Sequence, residues 1–357
     1  MKRKIRFRFL ALAAAVCLAS LAGCGSGQAE SQPATSSAAA GTESGKGDNT
    51  LVVYTARSDQ LNDAIIPAFE KKTGIHVDVI SGNTGECLKR VQTEASNPQG
   101  DILWAADKTM LSEYSSLFMK YVSPEDENML DGFKNTTGYF SPAFADPTAI
   151  IVNKSLIGDI KVESFQDLLN PKLKGKISWL DPSVSSSSYQ CLLAMLYGAS
   201  DNGDPMSEKS WKFVDQFLDN TEGKFITTDV AQSVAEGEYA VGLTWEDPVV
   251  NYIRNGGKVE LVFPKEGSIF PAESVQIINK CPHPESAKKF VDYMLSEEAQ
   301  SYVGTHLNAR PLRKGVSLGD YMVPTDQIVL SKTYNQDWVT KNKKLVTDTF
   351  VEHREKH

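Results

Sequence analysis

Short apolar runs and amphipathic stretches alternate along the chain after residue 50. The apolar run Leu51–Thr55 predicts a strand, and the apolar face of 60–73 predicts a helix that ends near Gly74. A second apolar run at 75–80 predicts another strand. Strand, helix and strand in this order form the unit of a parallel sheet with a right-handed crossover.

The alternation continues to the end of the chain and predicts an α/β fold. Further strands are predicted at 101–105, 176–179 and 240–244, and further helices at 86–95, 187–197, 207–218, 286–302 and 338–350. A chain of 357 residues is long for one hydrophobic core, so two domains are expected.

The first 23 residues have the pattern of a secretory leader. Five basic residues precede an apolar run from Phe9 to Leu18, which is too short to span a bilayer. Residues 24–50 are rich in Ser, Gly, Ala, Thr and Glu without apolar periodicity, which predicts a flexible tether. The tetrad LAGC at 21–24 resembles a bacterial lipobox and implies a diacylglycerol on the Cys24 thiol. A plain secretory signal with a chance cysteine is the alternative.

Charge and cysteine content narrow the possible partners and chemistry. The formal net charge of −8 becomes −13 once the leader, with five basic and no acidic residues, is removed. Such an acidic protein is not expected to bind nucleic acid. Cys87, Cys191 and Cys281 remain after the anchor cysteine and permit at most one disulfide. Buried free thiols are the favoured interpretation.

Five segments resemble extracellular solute-binding proteins of ABC importers, in the branch that includes ferric-iron, 2-aminoethylphosphonate and sugar-phosphate binders. They are YTAR at 54–57, AFEKKTGIHVDV at 68–79, NPQGDILWAAD at 97–107, SFQDLLNPKLKGKISWLDPS at 164–183 and SAKKFVDYMLSEEAQ at 286–300.

The resemblance implies a two-lobed periplasmic-binding-protein-like fold with a hinge and a ligand cleft between the lobes. Lobe 1 would comprise 51–147 with 270–318, and lobe 2 would comprise 148–269 with 319–357. It also implies an extracytoplasmic monomer, anchored to the membrane by Cys24, that delivers a small solute to a membrane permease. No cofactor is expected. The sequence contains no P-loop and no HExxH motif, and no enzyme is predicted.

Ligands of open α/β sheets sit beyond the carboxyl ends of the strands. The loops at those ends supply the candidate contacts Arg57, Ser58, Gly82, Thr84, Trp104 and Asp107 on lobe 1, and Ser185, Ser186 and Ser187 on lobe 2. Arg57 is either a cation for the solute or a solvated surface residue, and Trp104 is either a wall of the pocket or lobe core. Glu273 is a further candidate on the hinge side.

The serine run precedes a predicted helix, whose free backbone N–H groups and positive dipole end suit an anion. An ordinary serine cap in a polar loop is the alternative. Trp245, Glu246 and Asp247 follow the strand at 240–244, in a region where ferric binders of this branch place adjacent tyrosines. This sequence has no adjacent tyrosine pair. The two carboxylates there suit hydroxyl or ammonium groups, unless Asp247 and Pro248 form a simple turn.

These features predict a receptor for a small anionic solute, such as an organophosphate or a phosphonate. A ferric-iron receptor, a sensory lipoprotein that presents its ligand to a membrane kinase, and an enzyme that uses Glu246 and Asp247 as bases are the alternatives. No metal site is predicted. Among the five histidines only His353 and His357 have helical i, i+4 spacing, and the terminus that contains them is expected to fray.

Overall fold

The computed structural model describes residues 49–57, 59–107 and 111–357, so Cys24, the leader and Ser58 lie outside the described residues. In this part of the chain the strands are β1 (Thr50–Thr55), β2 (His76–Ser81), β3 (Ile102–Asp107), β4 (Ser141–Ala145), β5 (Thr148–Asn153), β6 (Ile177–Ser178), β7 (Val241–Trp245), β8 (Val259–Val262), β9 (Ala272–Ile277) and β10 (Arg310–Pro311). The α-helices are α1 (Asp59–Thr73), α2 (Thr84–Thr93), α3 (Ser186–Ala199), α4 (Glu208–Thr221), α5 (Val230–Ala235), α6 (Glu246–Arg254), α7 (Pro284–Leu295), α8 (Glu297–His306) and α9 (Gln336–Arg354).

The strands form two sheets. The first has the order β10-β4-β9-β3-β1-β2, in which β1 runs parallel to β2 and β3, while β9 runs antiparallel to β3 and β4. The second has the order β6-β7-β5-β8, in which β6 and β7 are parallel and β5 is antiparallel to both its neighbours. The division of the residues between two lobes stays a prediction.

Each sheet has its own hydrophobic core. Trp104 and Phe69 pack around Phe290 of α7 in the first core, with ring centroids 6.3 and 5.1 Å from it. Trp179 packs edge-on against Phe217 of α4 and Phe350 of α9 in the second core, with centroids 4.9 and 5.8 Å apart. The last helix of the described chain therefore completes the core of the second sheet.

One predicted helix is two helices. The apolar stripe predicts a single helix over 286–302, but α7 ends at Leu295 and α8 begins at Glu297. Ser296 between them has extended backbone angles, and its hydroxyl accepts from the amide of Ala299 at 3.3 Å. A serine cap inside a periodic apolar stripe thus overrides the periodicity.

Three crossover segments carry the chain between the sheets, and they lie side by side. The first is Asp146-Pro147, the second is 263–271 and the third is 312–335. The amide of Thr148 donates to the carbonyl of Ile269 at 2.9 Å, which joins the end of the first crossover to the second. The amide of Ser268 donates to Val329 at 2.9 Å, and that of Ser331 donates back to Ser268 at 3.0 Å, which joins the second to the third.

The second crossover contains a glycine that its geometry requires. Gly267 has φ +118, a conformation that side chains rarely adopt, and a Cβ there would lie 2.8 Å from the amide nitrogen of Ser331. Only glycine therefore allows the second and third crossovers to approach this closely.

Cys87, Cys191 and Cys281 are buried thiols that form no disulfide within the described part of the chain, as the sequence favoured. Burial raises the pKa of the Cys191 thiol, so it stays protonated and acts as a small apolar side chain. No helix among the described residues combines the length and apolar character that a membrane crossing needs.

Candidate functional site

A cavity of about 190 Å³ opens where the first crossover leaves the first sheet, and we call it the cleft cavity. Both sheets contribute to its walls, since Asp247 belongs to α6 at the end of β7, and Glu273 belongs to β9 of the first sheet. Its lining residues are Arg57, Gln60, Leu61, Phe144, Ala145, Asp146, Asp247, Glu273, Leu307, Asn308 and Ala309.

Arg57 follows β1 and faces the cleft cavity, but its charge is already matched. Its Nη1 forms an ion pair with Oε1 of Glu273, and its amide donates to Oγ1 of Thr55 at 3.0 Å. Burial lowers the pKa of Arg57, while the Asp146 charge acts in the opposite direction. Arg57 therefore lines the cleft cavity, and its charge is neutralised by Glu273, which the sequence placed only at the hinge side.

Two aspartates meet at the junction of the sheets. Oδ1 of Asp146 accepts from the amide of Asp247 at 3.0 Å, so the first crossover caps α6, whose N-cap residue Trp245 makes no capping hydrogen bond with its side chain. Burial, and then the nearby Asp247, raise the pKa of Asp146 well above its ordinary value. Burial of part of the Asp247 side chain raises its pKa too, and a hydrogen bond with Asn308 lowers it by less. The residue is still partly exposed, on the side that lines the cavity.

Glu246 is not in the cavity wall. It is fully buried, and its Oε2 accepts from Nε of Arg310 at 2.8 Å, while its Oε1 pairs with Nη2 of the same guanidinium. Arg310 is equally buried and also donates to Oγ1 of Thr325 at 2.8 Å. The predicted pair of solute-binding carboxylates is thus divided, because Glu246 joins α6 to β10 and Asp247 alone faces the cavity.

The serine run lies where the sequence placed it, at the first turn of α3. Ser185 is the cap residue, and its Oγ accepts from the amide of Ser188 at 3.4 Å and lies 3.0 Å from Oγ of Ser187. Arg354 of α9 holds the preceding loop through an ion pair with Asp181 at 2.5 Å. These serines do not line the cleft cavity.

The other predicted contacts lie at the edge of the sheets or in the core. Trp104 is fully buried in the first core, which selects the core interpretation over the pocket wall. Gly82 and Thr84 lie at the start of α2, where the amide of Gly82 donates to Thr55 at 3.0 Å. The backbone of Asp107 lies opposite Glu273 in the sheet, and Trp245 is half-buried just before α6.

The sequence missed Asp146 and Asn308. Asp146 stands in a two-residue connection between two strands. Its contact with Asp247 can be recognised only once β4 and β5 are known to lie in different sheets. Asn308 accepts from Nη1 of Arg254 at 2.8 Å, so it ties the far end of α6 to the segment before β10. The signal that could have found Asp146 is the Asp-Pro dipeptide between two apolar runs.

The sequence also contains the pattern of a nucleophile motif. GVSLG at 315–319 matches GxSxG, the pattern of a nucleophile elbow. The elbow requires a sharp turn from strand to helix, whereas this pentad lies in the third crossover, between β10 and the short 3₁₀ helix at Thr325–Gln327. The match therefore carries no catalytic meaning here.

We expect Asp146→Asn to raise the free energy of unfolding at neutral pH, because the amide is neutral and its Oδ1 still accepts from Asp247. The pKa of Asp146 is higher in the folded than in the unfolded protein, so the folded state binds more protons between those two values and loses stability as the pH rises through them. The gain in the free energy of unfolding should be about 1.4 kcal/mol for each unit by which the folded-state pKa of Asp146 exceeds its unfolded-state pKa. It should vanish below pH ~4, where the carboxyl is protonated in both states. Urea denaturation from pH 4 to 8 measures it, with the exposed Asp326→Asn as control. An equal effect at all pH values would contradict the assignment.

Residues 64–335 match the family described as "Bacterial extracellular solute-binding protein". The chain is similar to "Iron uptake protein A1" of Synechocystis sp., with 26% identity over 282 residues, 74% of this chain and 76% of that protein. It is similar to the "Putative 2-aminoethylphosphonate-binding periplasmic protein" of Salmonella typhimurium, with 22% identity over 281 residues, 76% of this chain and 80% of that protein.

A solved structure shows the same fold. The periplasmic binding protein AfuA from Actinobacillus pleuropneumoniae, with exogenous fructose-6-phosphate bound, superposes with a TM-score of 0.68 at 20% sequence identity. The match covers 86% of this chain and 98% of that one. The predicted fold class, an α/β fold of the periplasmic-binding-protein type, is therefore confirmed.

Proposed function

The chain belongs to the family of bacterial extracellular solute-binding proteins, and from this premise we propose that it is the receptor of an ABC importer for a small organic anion. Proteins of this family are binding proteins and not enzymes, as the sequence predicted. One observation carries the proposal: the walls of the cleft cavity come from both sheets, and they meet at the first crossover. A ligand that contacts both sides of such a hinge favours the closed state.

The chemistry at the two sides supports a solute with an anionic end and a donor end. The first turn of α3 offers unpaired backbone N–H groups, which suit a phosphate, phosphonate or carboxylate. The carboxyl of Asp247 suits a hydroxyl or an amine, because an ionised carboxylate only accepts hydrogen bonds. Arg57 is a weaker candidate for the anion, since Glu273 already neutralises it. Aminoethylphosphonate and fructose-6-phosphate, named for two similar proteins, both have this two-ended chemistry.

We propose that the lobes are 51–147 with 270–318 and 148–269 with 319–357, and that the three crossovers form the hinge between them. The ion pair between Glu246 and Arg310 lies at this junction, as does the contact of Arg254 with Asn308. Closure would rotate the first turn of α3 toward the cleft cavity about this fixed point.

A thermal-shift screen tests the proposal. Aminoethylphosphonate, hexose phosphates, phosphoglycerate, polyamines and ferric ion are added to the purified protein, and a bound solute raises the melting temperature by mass action. We expect a shift with a phosphonate or an organophosphate, stoichiometric calorimetric binding and no turnover. A shift with polyamines alone would overturn the anionic class, and turnover would overturn the receptor.

Ferric ion is the second candidate, because the similar Synechocystis protein is named for iron uptake. We expect no tyrosinate charge-transfer band when ferric citrate is added, since the sequence has no adjacent tyrosines. No three His, Cys, Asp or Glu side chains within the described ranges are grouped as a metal site requires. Visible absorption spectroscopy measures the band. A strong band that disappears when one tyrosine becomes phenylalanine would favour the iron receptor.

We propose that the receptor is extracytoplasmic and anchored through lipidated Cys24. Cys24→Ser should move it from the membrane fraction to the soluble fraction and block the mobility shift of lipoprotein processing, because the thiol is the acylated group. Immunoblots of fractionated cells measure both, with Cys87→Ser as control. Unchanged processing and membrane attachment in Cys24→Ser would refute the anchor.

A further inference from the structure

The charged side chains that line the cleft cavity do not balance. They are the carboxylates of Asp146, Asp247 and Glu273 and the guanidinium of Arg57, a formal charge of −2 when all are ionised. Arg57 forms an ion pair with Glu273, and this pair is neutral in itself. The lining residues that the structure describes therefore include no second cation for the two aspartates.

The charged groups behind the cavity walls do not supply the missing cation either. Arg310 of β10 is held by Glu246, and Arg254 of α6 donates to Asn308 at 2.8 Å. Asn308 also forms a hydrogen bond with Asp247, but it brings no charge. The Cys191 thiol of α3, which lies near Asp146, stays protonated because burial raises its pKa. A cationic group from a ligand therefore does not have to displace a guanidinium from the two aspartates.

Asp146 and Asp247 act together on a proton or a cation. Oδ1 of Asp146 accepts from the amide of Asp247 at 3.0 Å, which holds the two residues side by side. Burial and then the charge of Asp247 raise the pKa of Asp146, and the smaller effect of Arg57 does not offset them. A cation beside the two carboxylates favours their ionised forms and lowers that pKa again. A neutral hydroxyl group has no such effect.

We propose that the cleft cavity is an ammonium site, in which Asp146 and Asp247 hold the donor end of the solute as a protonated amine that displaces a proton from the two carboxyls. This inference rests on the proposed receptor function and narrows the donor end from a hydroxyl or an amine to an amine. An ammonium group brings three donors and one positive charge, whereas a hydroxyl brings one donor and leaves the carboxylates unmatched. The amine keeps its own proton, and the proton of the carboxyl passes to the solvent.

Two pairs of probes differ in this group alone. They are aminoethylphosphonate with hydroxyethylphosphonate, and glucosamine 6-phosphate with glucose 6-phosphate. We expect the amine of at least one pair to bind roughly tenfold tighter than its hydroxyl partner, because a charge-assisted hydrogen bond is the stronger one. Isothermal titration calorimetry measures both affinities.

Proton release is the second readout. Titration of the same amine in two buffers of different ionisation enthalpy should show release of up to about one proton, and the hydroxyl partner should release less. The pKa of Asp146 is raised in the free protein and lowered in the complex, so release occurs between these two values. It should vanish as the pH rises above the value of the free protein.

Asp146→Asn should abolish the proton release and weaken the amine roughly tenfold, while the affinity for the hydroxyl partner changes little. The amide oxygen still accepts from the backbone of Asp247, so the fold is expected to be kept. Asp247→Asn is the second variant, and it leaves that backbone amide in place. The exposed Asp326→Asn is the control and should bind both probes as the unaltered protein does.

The outcomes separate this inference from the receptor function. Equal affinity for amine and hydroxyl probes, or tighter binding of the hydroxyl, overturns the ammonium site and leaves the anion receptor standing. Binding of polyamines alone, with proton release, supports the ammonium site and overturns the anionic class of solute. Amine binding without proton release at any pH overturns the exchange of proton for cation. If no amine binds, the ammonium site is wrong, and the other solutes of the thermal-shift screen decide the receptor.

Discussion

Replacement of Arg310 by methionine is expected to lower the free energy of unfolding by about 3–5 kcal/mol. Arg310 and Glu246 are both fully buried, and the guanidinium holds the carboxylate through two parallel contacts. Without the guanidinium, the carboxyl is left buried and unpaired, or it must take up a proton. Burial already raises the pKa of Glu246 against the effect of Arg310, so the loss should be smaller at acid pH. Urea denaturation at pH 5 and pH 8 measures both effects.

A double variant separates the ion pair from the packing around it. Glu246→Leu with Arg310→Met removes both charges and their hydrogen-bonding atoms, and it should recover much of the loss, because an apolar pair leaves no buried polar group of its own unpaired. Lys314→Met breaks the surface pair with Asp131 and should change the free energy of unfolding far less, because water screens an exposed ion pair. A double variant as unstable as Arg310→Met alone would show that shape, not charge, sets the cost.

Asp247→Ala is expected to weaken binding of the solute found by the screen by a factor of about 10 to 100. This corresponds to about 1.5–3 kcal/mol for the loss of a charge-assisted hydrogen bond. The Asp247 carboxyl faces the cleft cavity, while its amide, which α6 needs for the contact with Asp146, is unaffected by the substitution. Isothermal titration calorimetry measures the change.

Three comparisons make the Asp247 result specific. Inorganic phosphate should bind Asp247→Ala and the unaltered protein equally, because it needs only the helix end. Ser186→Ala should have a smaller effect on the solute, since the backbone donors of α3 remain. The exposed Asp63→Ala on α1 should have none. Full solute affinity in Asp247→Ala would place the donor end of the solute elsewhere.

Local pattern was enough to predict much of the first sheet. Apolar runs and one-sided helices placed β1, α1, β2, α2 and β3 within about two residues, because each of these elements buries one face against its sequence neighbours. The serine cap of α3 could be predicted for the same reason, since capping depends on residues one turn away. The fold class followed from the alternation of the elements and was later confirmed.

The cleft could be predicted only in part, because its contacts join residues far apart in sequence. Glu246 pairs with Arg310, 64 residues later, and nothing near either residue indicates the other. Asp146 meets Asp247 across 101 residues. The short strands β4, β5 and β9 escaped prediction. β4 and β5 are buried at every residue and so lack the alternation that marks a half-buried strand, and β9 has polar Glu273, Ser274 and Gln276 among its apolar residues. Those strands determine which loops face each other.

The interleaved strand order has a consequence for biogenesis. β9 lies between β3 and β4 in the first sheet, yet about 130 residues separate it from β4 along the chain. As the chain is made or exported from its N-terminus, β3 and β4 have no partner on that side until β9 arrives, and the second core waits for Phe350 of α9. Partly made chains thus expose two unpaired strand edges, which are prone to aggregation. Such a protein would rely on a chaperone that keeps the chain extended until its C-terminal part is available.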